Sequence, residues 1–207
     1  MVRNIVFDMG MVLMDFHPME ASLAAAGNEA DARALYEALF AHPEWVRLDD
    51  GTITQEELGR RAQARLTHER LRPLVSRVLD AMPGNILRPI PGMDSLVDWV
   101  LEAGFRVYLL SNAGLMVSEH REIIPRIEKF HGVVFSAEEG VIKPDPRIYA
   151  RLTERYGLLP EECLFIDDNP ANTEGARKLG WQTYTYGGDL PALRTVLQGH
   201  ARALAAR

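Results

Sequence analysis

The stretch Val2-Arg3-Asn4-Ile5-Val6-Phe7-Asp8 decides the fold. Its apolar residues do not alternate; Ile5, Val6 and Phe7 follow one another. Both faces of the strand must then be buried, as in a parallel sheet covered on both sides. The run stops at Asp8, and the same event recurs along the chain. Phe105 to Leu110 stops at Ser111-Asn112, and Gly132 to Phe135 stops at Ser136. Cys163 to Ile166 stops at Asp167-Asp168, and Gln182 to Tyr186 stops at Gly187-Gly188. Helical patterns lie between these runs. Met93 to Ala103 places Leu96, Val97, Val100 and Leu101 on one stripe before Gly104. Asp145-Pro146 and Asn169-Pro170 each set an N-cap residue before a first-turn proline. Strands alternating with helices predict an α/β Rossmann-like parallel sheet flanked by helices.

The segment from Pro18 to Leu87 breaks this alternation. It is rich in Ala, Leu, Glu and Arg, contains no convincing strand, and has a capping-box start at Thr54-Gln55-Glu56-Glu57. The expected organisation is a core of residues 1–16 and 88–207, with a helical cap of residues 17–87 inserted after the first strand. Both connections contain proline, which predicts defined hinges around a mobile lid.

Composition narrows the function classes. In 207 residues there are 23 basic and 29 acidic side chains, a net charge of −6. An acidic chain lacks the basic footprint of a nucleic-acid binder. One Cys excludes an intrachain disulfide and a cysteine zinc cage. No apolar run reaches transmembrane length, and Met1-Val2-Arg3-Asn4 enters the first strand without a signal-peptide layout. The expectation is a cytoplasmic protein, monomer or homodimer, with no nucleic-acid or membrane partner.

Ligands of open parallel sheets bind beyond the carboxyl ends of the strands. Asp8, Ser111-Asn112 and Asp167-Asp168 all stand at such ends. If their strands are neighbours, three carboxylates converge and repel one another. A divalent cation relieves that repulsion, and an oxygen donor set suits Mg²⁺. Lys143, just before the Asp145-Pro146 helix start, would add a fixed positive charge. A cation, a lysine, a hydroxyl and a free carboxylate around one cavity suit a phosphoryl group. Taken singly, each element also reads as ordinary structure: Asp8 as a turn residue, Ser111-Asn112 and Asp168-Asn169-Pro170 as caps, Lys143 as a solvated charge. Their order and position together single out a site.

These residues fall into four ordered motifs: Phe7-Asp8-Met9-Gly10-Met11-Val12-Leu13, Leu110-Ser111-Asn112, Lys143-Pro144-Asp145, and Phe165-Ile166-Asp167-Asp168-Asn169 continuing through Asn172. Over nearly its whole length the chain resembles the haloacid dehalogenase-like hydrolase superfamily, in its subgroup with a helical cap. Within that superfamily it is similar to small bacterial sugar-phosphate phosphatases such as α-glucose-1-phosphatase.

The resemblance implies a Mg²⁺-dependent phosphatase acting on a small phosphorylated metabolite, with Asp8 as nucleophile. It implies metal ligation by the Asp8 carboxylate, the Gly10 carbonyl and Asp168, with Asp167 and Asn172 behind these ligands. Ser111, the Asn112 backbone N–H and Lys143 would hold phosphate oxygens. In the cap loop 45–51, Trp45 and Arg47 would face the active-site entrance. The alternatives, Trp45 in the cap core and Arg47 as a solvated charge, stay open. Most phosphatases of the family carry an acid/base Asp where this chain has Gly10, followed here by Met11. Gly10 cannot transfer a proton, which predicts a preference for activated esters such as a sugar 1-phosphate. Two rival readings are a haloacid dehalogenase, whose halide leaves unprotonated, and a non-catalytic binding or regulatory protein on the same fold.

Overall fold

The computed structural model describes residues 1–206. The chain runs through β1 (Asn4–Phe7), β2 (Met14–Phe16), α1 (Pro18–Ala26), α2 (Glu29–Leu39), α3 (Val46–Asp49), α4 (Gln55–Arg65), α5 (Arg72–Asp80) and β3 (Leu87–Pro89). It continues through α6 (Met93–Glu102), β4 (Arg106–Ser111), α7 (Leu115–Glu119), β5 (Gly132–Phe135), α8 (Ser136–Glu139) and α9 (Pro146–Tyr156). It ends with β6 (Cys163–Asp167), α10 (Pro170–Lys178), β7 (Gln182–Thr185) and α11 (Leu190–Ala205).

Five strands form one parallel sheet in the order β5-β4-β1-β6-β7. The strands begin or end within two residues of the apolar runs that predict them. Both faces are covered. Ile5, Phe7, Leu109 and Ile166 point into one apolar cluster, and Val6, Tyr108, Leu110 and Phe165 into the other. This alternation inside continuously apolar strands is why the sequence shows no polar face. On the second face Tyr149, Phe165 and Trp181 meet edge-to-face at about 6 Å between ring centroids. Burying side chains the size of Phe7 or Phe165 contributes about 1.5–3 kcal/mol each.

The helix starts follow their local chemistry. Asp145 accepts from the Arg147 N–H, and Asn169 from the Ala171 N–H, each with Pro in the first turn. Thr54 accepts from the Glu57 N–H at the start of α4. The Glu57 carboxylate does not close the capping box; it pairs with Arg60 and Arg61 instead.

Between β2 and β3 the described chain is helical or irregular. The two connections themselves form a short antiparallel ribbon, with Met14 beside Pro89 and Phe16 beside Leu87. The sequence reading missed this ribbon, because three residues are too few to show a period. Leu35, Leu58 and Val75 of the inserted helices belong to the same apolar cluster as Ile5 and Phe7. No helix among the described residues is long and apolar enough to cross a membrane.

Candidate active site

Asp8 follows β1, the middle strand. Phe7 lies level with Leu109 on one side and Ile166 on the other. The ends of β4 and β6 therefore flank Asp8, at Ser111 and at Asp167. After β1 the sheet grows toward β4 and β5, then crosses over to add β6 and β7. The crevice above such a reversal is where open α/β sheets bind ligands.

Lys143 sits at the centre. Its Nζ lies 2.8 Å from Asp8 Oδ1 and 2.7 Å from Asp167 Oδ2, and donates to the Leu110 carbonyl at 2.9 Å. It is 3% exposed and Asp167 is fully buried, so these ion pairs are shielded from water. Burial penalises the ammonium, yet Asp8 and Asp167 hold its pKa above the usual lysine value. Burial pushes the Asp8 carboxyl up to about 7. The Asp167 charge adds to that push, while Lys143 and the Met9 N–H, at 2.7 Å, oppose it.

Both oxygens of Asp167 are occupied by protein donors. Oδ1 accepts from the Asn169 N–H at 2.8 Å and from Asn172 Nδ2 at 3.0 Å. Oδ2 accepts from Lys143 and from Asn172 Nδ2 at 3.1 Å. Asp168 is half-buried; burial, then the Asp167 charge, raise its pKa. One oxygen from each of Asp8, Asp167 and Asp168 lies within 4.8 Å of the others. When all three carboxylates are ionised, one ammonium leaves two negative charges uncompensated, which fits a divalent cation with oxygen ligands. Because Asp167 is occupied, Asp8 and Asp168 are the carboxylates free to hold that ion. Gly10 lines the same cavity.

Ser111 Oγ is buried without a hydrogen-bond partner among the described residues. A buried hydroxyl left over at a strand end suits an acceptor brought by a ligand, such as a phosphate oxygen. The Asn112 side chain does something the sequence did not announce. Its Oδ1 accepts from the Lys143 N–H at 2.8 Å, and its Nδ2 donates to the Lys143 carbonyl at 3.0 Å. This two-point pairing ties the loop after β4 to the loop carrying Lys143.

The site opens into a cavity of about 520 Å³ between the sheet ends and the inserted helices. Asp8, Gly10, Asn112 and Asp168 line it from below, and Trp45, Leu48 and Asp49 from above. Trp45 borders the cavity while its ring packs on Phe40 at 4.8 Å and Phe16 at 6.0 Å. Arg47 is not among the residues that line the cavity. Its Nε donates to Thr52 Oγ1 at 3.2 Å, Glu44 lies 4.0 Å away, and the side chain is 42% exposed. Two residues along a helix differ in direction by about 200°, roughly half a turn, and Arg47 falls on the solvent side. Arg47→Ala should therefore change kcat/KM less than about 5-fold on any substrate, since surface pairs contribute only about 0–1 kcal/mol. Steady-state assays on two substrates of different size check this.

Asp49 was not singled out from the sequence. It lines the cavity, and burial, then the charges of Asp8 and Asp50, push its carboxyl up to about 7 against the pull of Lys143. Nothing local separates it from Asp50 beside it.

Known proteins agree with this architecture. A family model described as haloacid dehalogenase-like hydrolase matches residues 2–180. Acyl-CoA dehydrogenase family member 10 of Mus musculus is 28% identical over 192 residues, 87% of this chain. The chain spans only 17% of that protein's length. D-ribitol-5-phosphate phosphatase of Bacteroides thetaiotaomicron is 26% identical over 199 residues, 89% of this chain and 91% of its own. The solved structure of a predicted HAD-like family hydrolase from Porphyromonas gingivalis superposes with a TM-score of 0.72 at 28% identity, covering 95% of this chain and 98% of its own. With the match spanning the first four of the five sheet strands and the site at their carboxyl ends, the chain belongs to the haloacid dehalogenase-like hydrolases.

Proposed function

We propose that this chain is a Mg²⁺-dependent phosphatase that hydrolyses a small phosphorylated metabolite through an aspartyl-phosphate on Asp8. One observation carries the reading: Asp8 is held against the buried Lys143 ammonium, beside two further carboxylates, at the floor of a cavity sized for a small molecule. The similarity to a D-ribitol-5-phosphate phosphatase supports a small phosphate ester as substrate.

An Asp8 carboxylate oxygen attacks phosphorus, and the bond from phosphorus to the leaving oxygen breaks. Lys143, the Ser111 hydroxyl and the Asn112 backbone N–H hold the phosphoryl oxygens. Water then attacks phosphorus and frees Asp8. Asp8, Asp168 and the Gly10 carbonyl would hold Mg²⁺, which when bound offsets the clustered negative charge and that of the phosphoryl group. Asn172 and Lys143 orient Asp167 behind them.

The test is phosphate release across sugar phosphates, nucleotides and phospho-acids, with Mg²⁺ and after EDTA. Release should need Mg²⁺ and return when it is restored. Asp168→Ala should raise the Mg²⁺ concentration needed for half-maximal rate by about 10-fold or more, as losses at metal sites commonly do. Halide release from 2-chloropropionate that persists in EDTA would replace this reading with that of a dehalogenase.

A further inference from the structure

We propose that Asp49, carried into the cavity by the cap, is the proton donor to the leaving-group oxygen and fills the role that Gly10 leaves vacant. The inference rests on the phosphatase reading above. Its first support is position. Asp49 shares the cavity with Asp8 and Gly10. Its second is that the carboxyl is uncommitted. Asp8 and Asp167 are tied to Lys143, whereas the half-buried Asp49 carboxyl is influenced only by burial and by neighbouring charges, with no hydrogen bond among them.

The backbone around Asp49 is pinned to the core. Ser136 Oγ donates to the Asp49 carbonyl and also accepts from the Ala113 N–H at 2.9 Å. Ala113 is next to Asn112, so one hydroxyl ties the cap loop to the strand end that carries Ser111 and Asn112. On one side of Asp49, Leu48 packs against Gly114, where an added Cβ would lie 3.3 Å from Leu48 Cβ. On the other side, Gly51 has φ +71°, and a Cβ there would stand 2.5 Å from the Ala137 carbonyl oxygen. Only glycine allows the loop to come that close. These contacts fix the backbone that carries Asp49 at the wall of the cavity it shares with Asp8, and a positioned carboxyl is what proton transfer requires.

Protonation agrees with the role. Burial first, then the charges of Asp8 and Asp50, keep the proton on Asp49 up to about pH 7, and Lys143 opposes them. Glu56, Glu119 and Asp168 are the other carboxylates lining this cavity. A general acid works best with a pKa near the working pH. At Gly10 itself a Cβ would meet nothing within 4 Å, so the space beside the leaving group is open to a group from the cap.

The two half-reactions balance. As the Asp8–phosphorus bond forms, the bond from phosphorus to the leaving oxygen breaks. The electron pair stays on that oxygen, which takes the Asp49 proton and departs as the alcohol. The Asp49 carboxylate then takes a proton from the attacking water, whose oxygen bonds to phosphorus as the Asp8–phosphorus bond breaks. Phosphate leaves and Asp49 is again protonated. An acid at Asp49 replaces the preference for activated esters that Gly10 alone predicts. The parent enzyme should handle alkyl phosphates with a shallow dependence on leaving-group pKa.

The test is Asp49→Asn, assayed with Mg²⁺ on 2,4-dinitrophenyl phosphate, a series of aryl phosphates of rising phenol pKa, and glycerol phosphate. Loss of kcat/KM should grow along the series, reaching about 10²–10⁴-fold for the alkyl ester, and be at least about 10-fold smaller for the dinitrophenyl ester, which needs no acid. Asp49→Ser, which also removes the carboxyl, should give the same slope. Adding Gly10→Asp to Asp49→Asn should recover part of the alkyl-ester rate, because a carboxyl then re-enters the same cavity. Circular dichroism of each variant reports folding. A loss equal across the series, or no loss, overturns the role of Asp49 while leaving the phosphatase reading in place. No phosphate release by the parent from any ester removes both.

Discussion

Asp8→Asn is expected to lower phosphate release by about 10⁴-fold or more, since removing a nucleophile that acts with its partners as a unit has effects of that order. The amide is a poor nucleophile and also removes one anionic ligand from the carboxylate cluster. Folding should be unharmed. The Asn carbonyl oxygen can still accept from the Met9 N–H and from Lys143, the two donors that now hold Asp8 Oδ1. Burial already weighs against the ionised form of Asp8, so a neutral side chain costs little there. Rates measured with a saturating ester, together with circular dichroism, separate chemistry from structure. A purified Asp8→Asn variant that turns over at near-parental rates would falsify the aspartyl-phosphate route.

Lys143→Met should be the most damaging change to stability. It leaves Asp8 and Asp167 facing each other without their shared cation and deprives the Leu110 carbonyl of its donor. Removing one partner of a buried charge pair costs about 3–5 kcal/mol. For a chain of this size each kcal/mol shifts Tm by about 2–4 °C, so a fall of roughly 6–20 °C is expected. Lys143→Arg should not restore the parent. The ammonium lies within 2.8 Å of both carboxylates and 5.3 Å from the Phe165 ring centroid, a point-charge geometry that the longer planar guanidinium does not reproduce. Turnover should fall with the Lys143→Met change as well, because the same ammonium faces the phosphoryl group. Thermal unfolding without added metal, followed by assay with Mg²⁺, reads the two effects apart. An unchanged Tm would mean that the pair contributes nothing to stability.

What could be read from the sequence shares one property: it depends on neighbours along the chain. Continuous apolar runs such as Ile5-Val6-Phe7 mark strands buried on both faces, and pairs such as Asp145-Pro146 mark helix starts. Parallel strands joined by helices have few possible topologies, so carboxylates at the strand ends, Asp8, Asp167 and Asp168, were expected to meet if their strands were neighbours, and the strand order makes them so. Tertiary structure decided whatever depends on residues distant in sequence. The β2–β3 ribbon pairs segments of three residues, too short to carry a pattern. Asn112 grips the backbone of Lys143, 31 residues away, an amide contact that no local spacing encodes. Trp45 and Arg47 stand two residues apart, yet one borders the cavity and the other faces solvent. Asp49 and Asp50 are identical in type and adjacent. Ser136, Ala137 and Gly114 of the core fix the loop so that Asp49 lines the cavity. A carboxylate becomes a candidate acid through burial and through the charges that face it, and here folding brings Asp8 and Lys143, distant in sequence, to act on Asp49 beside its neighbour Asp50.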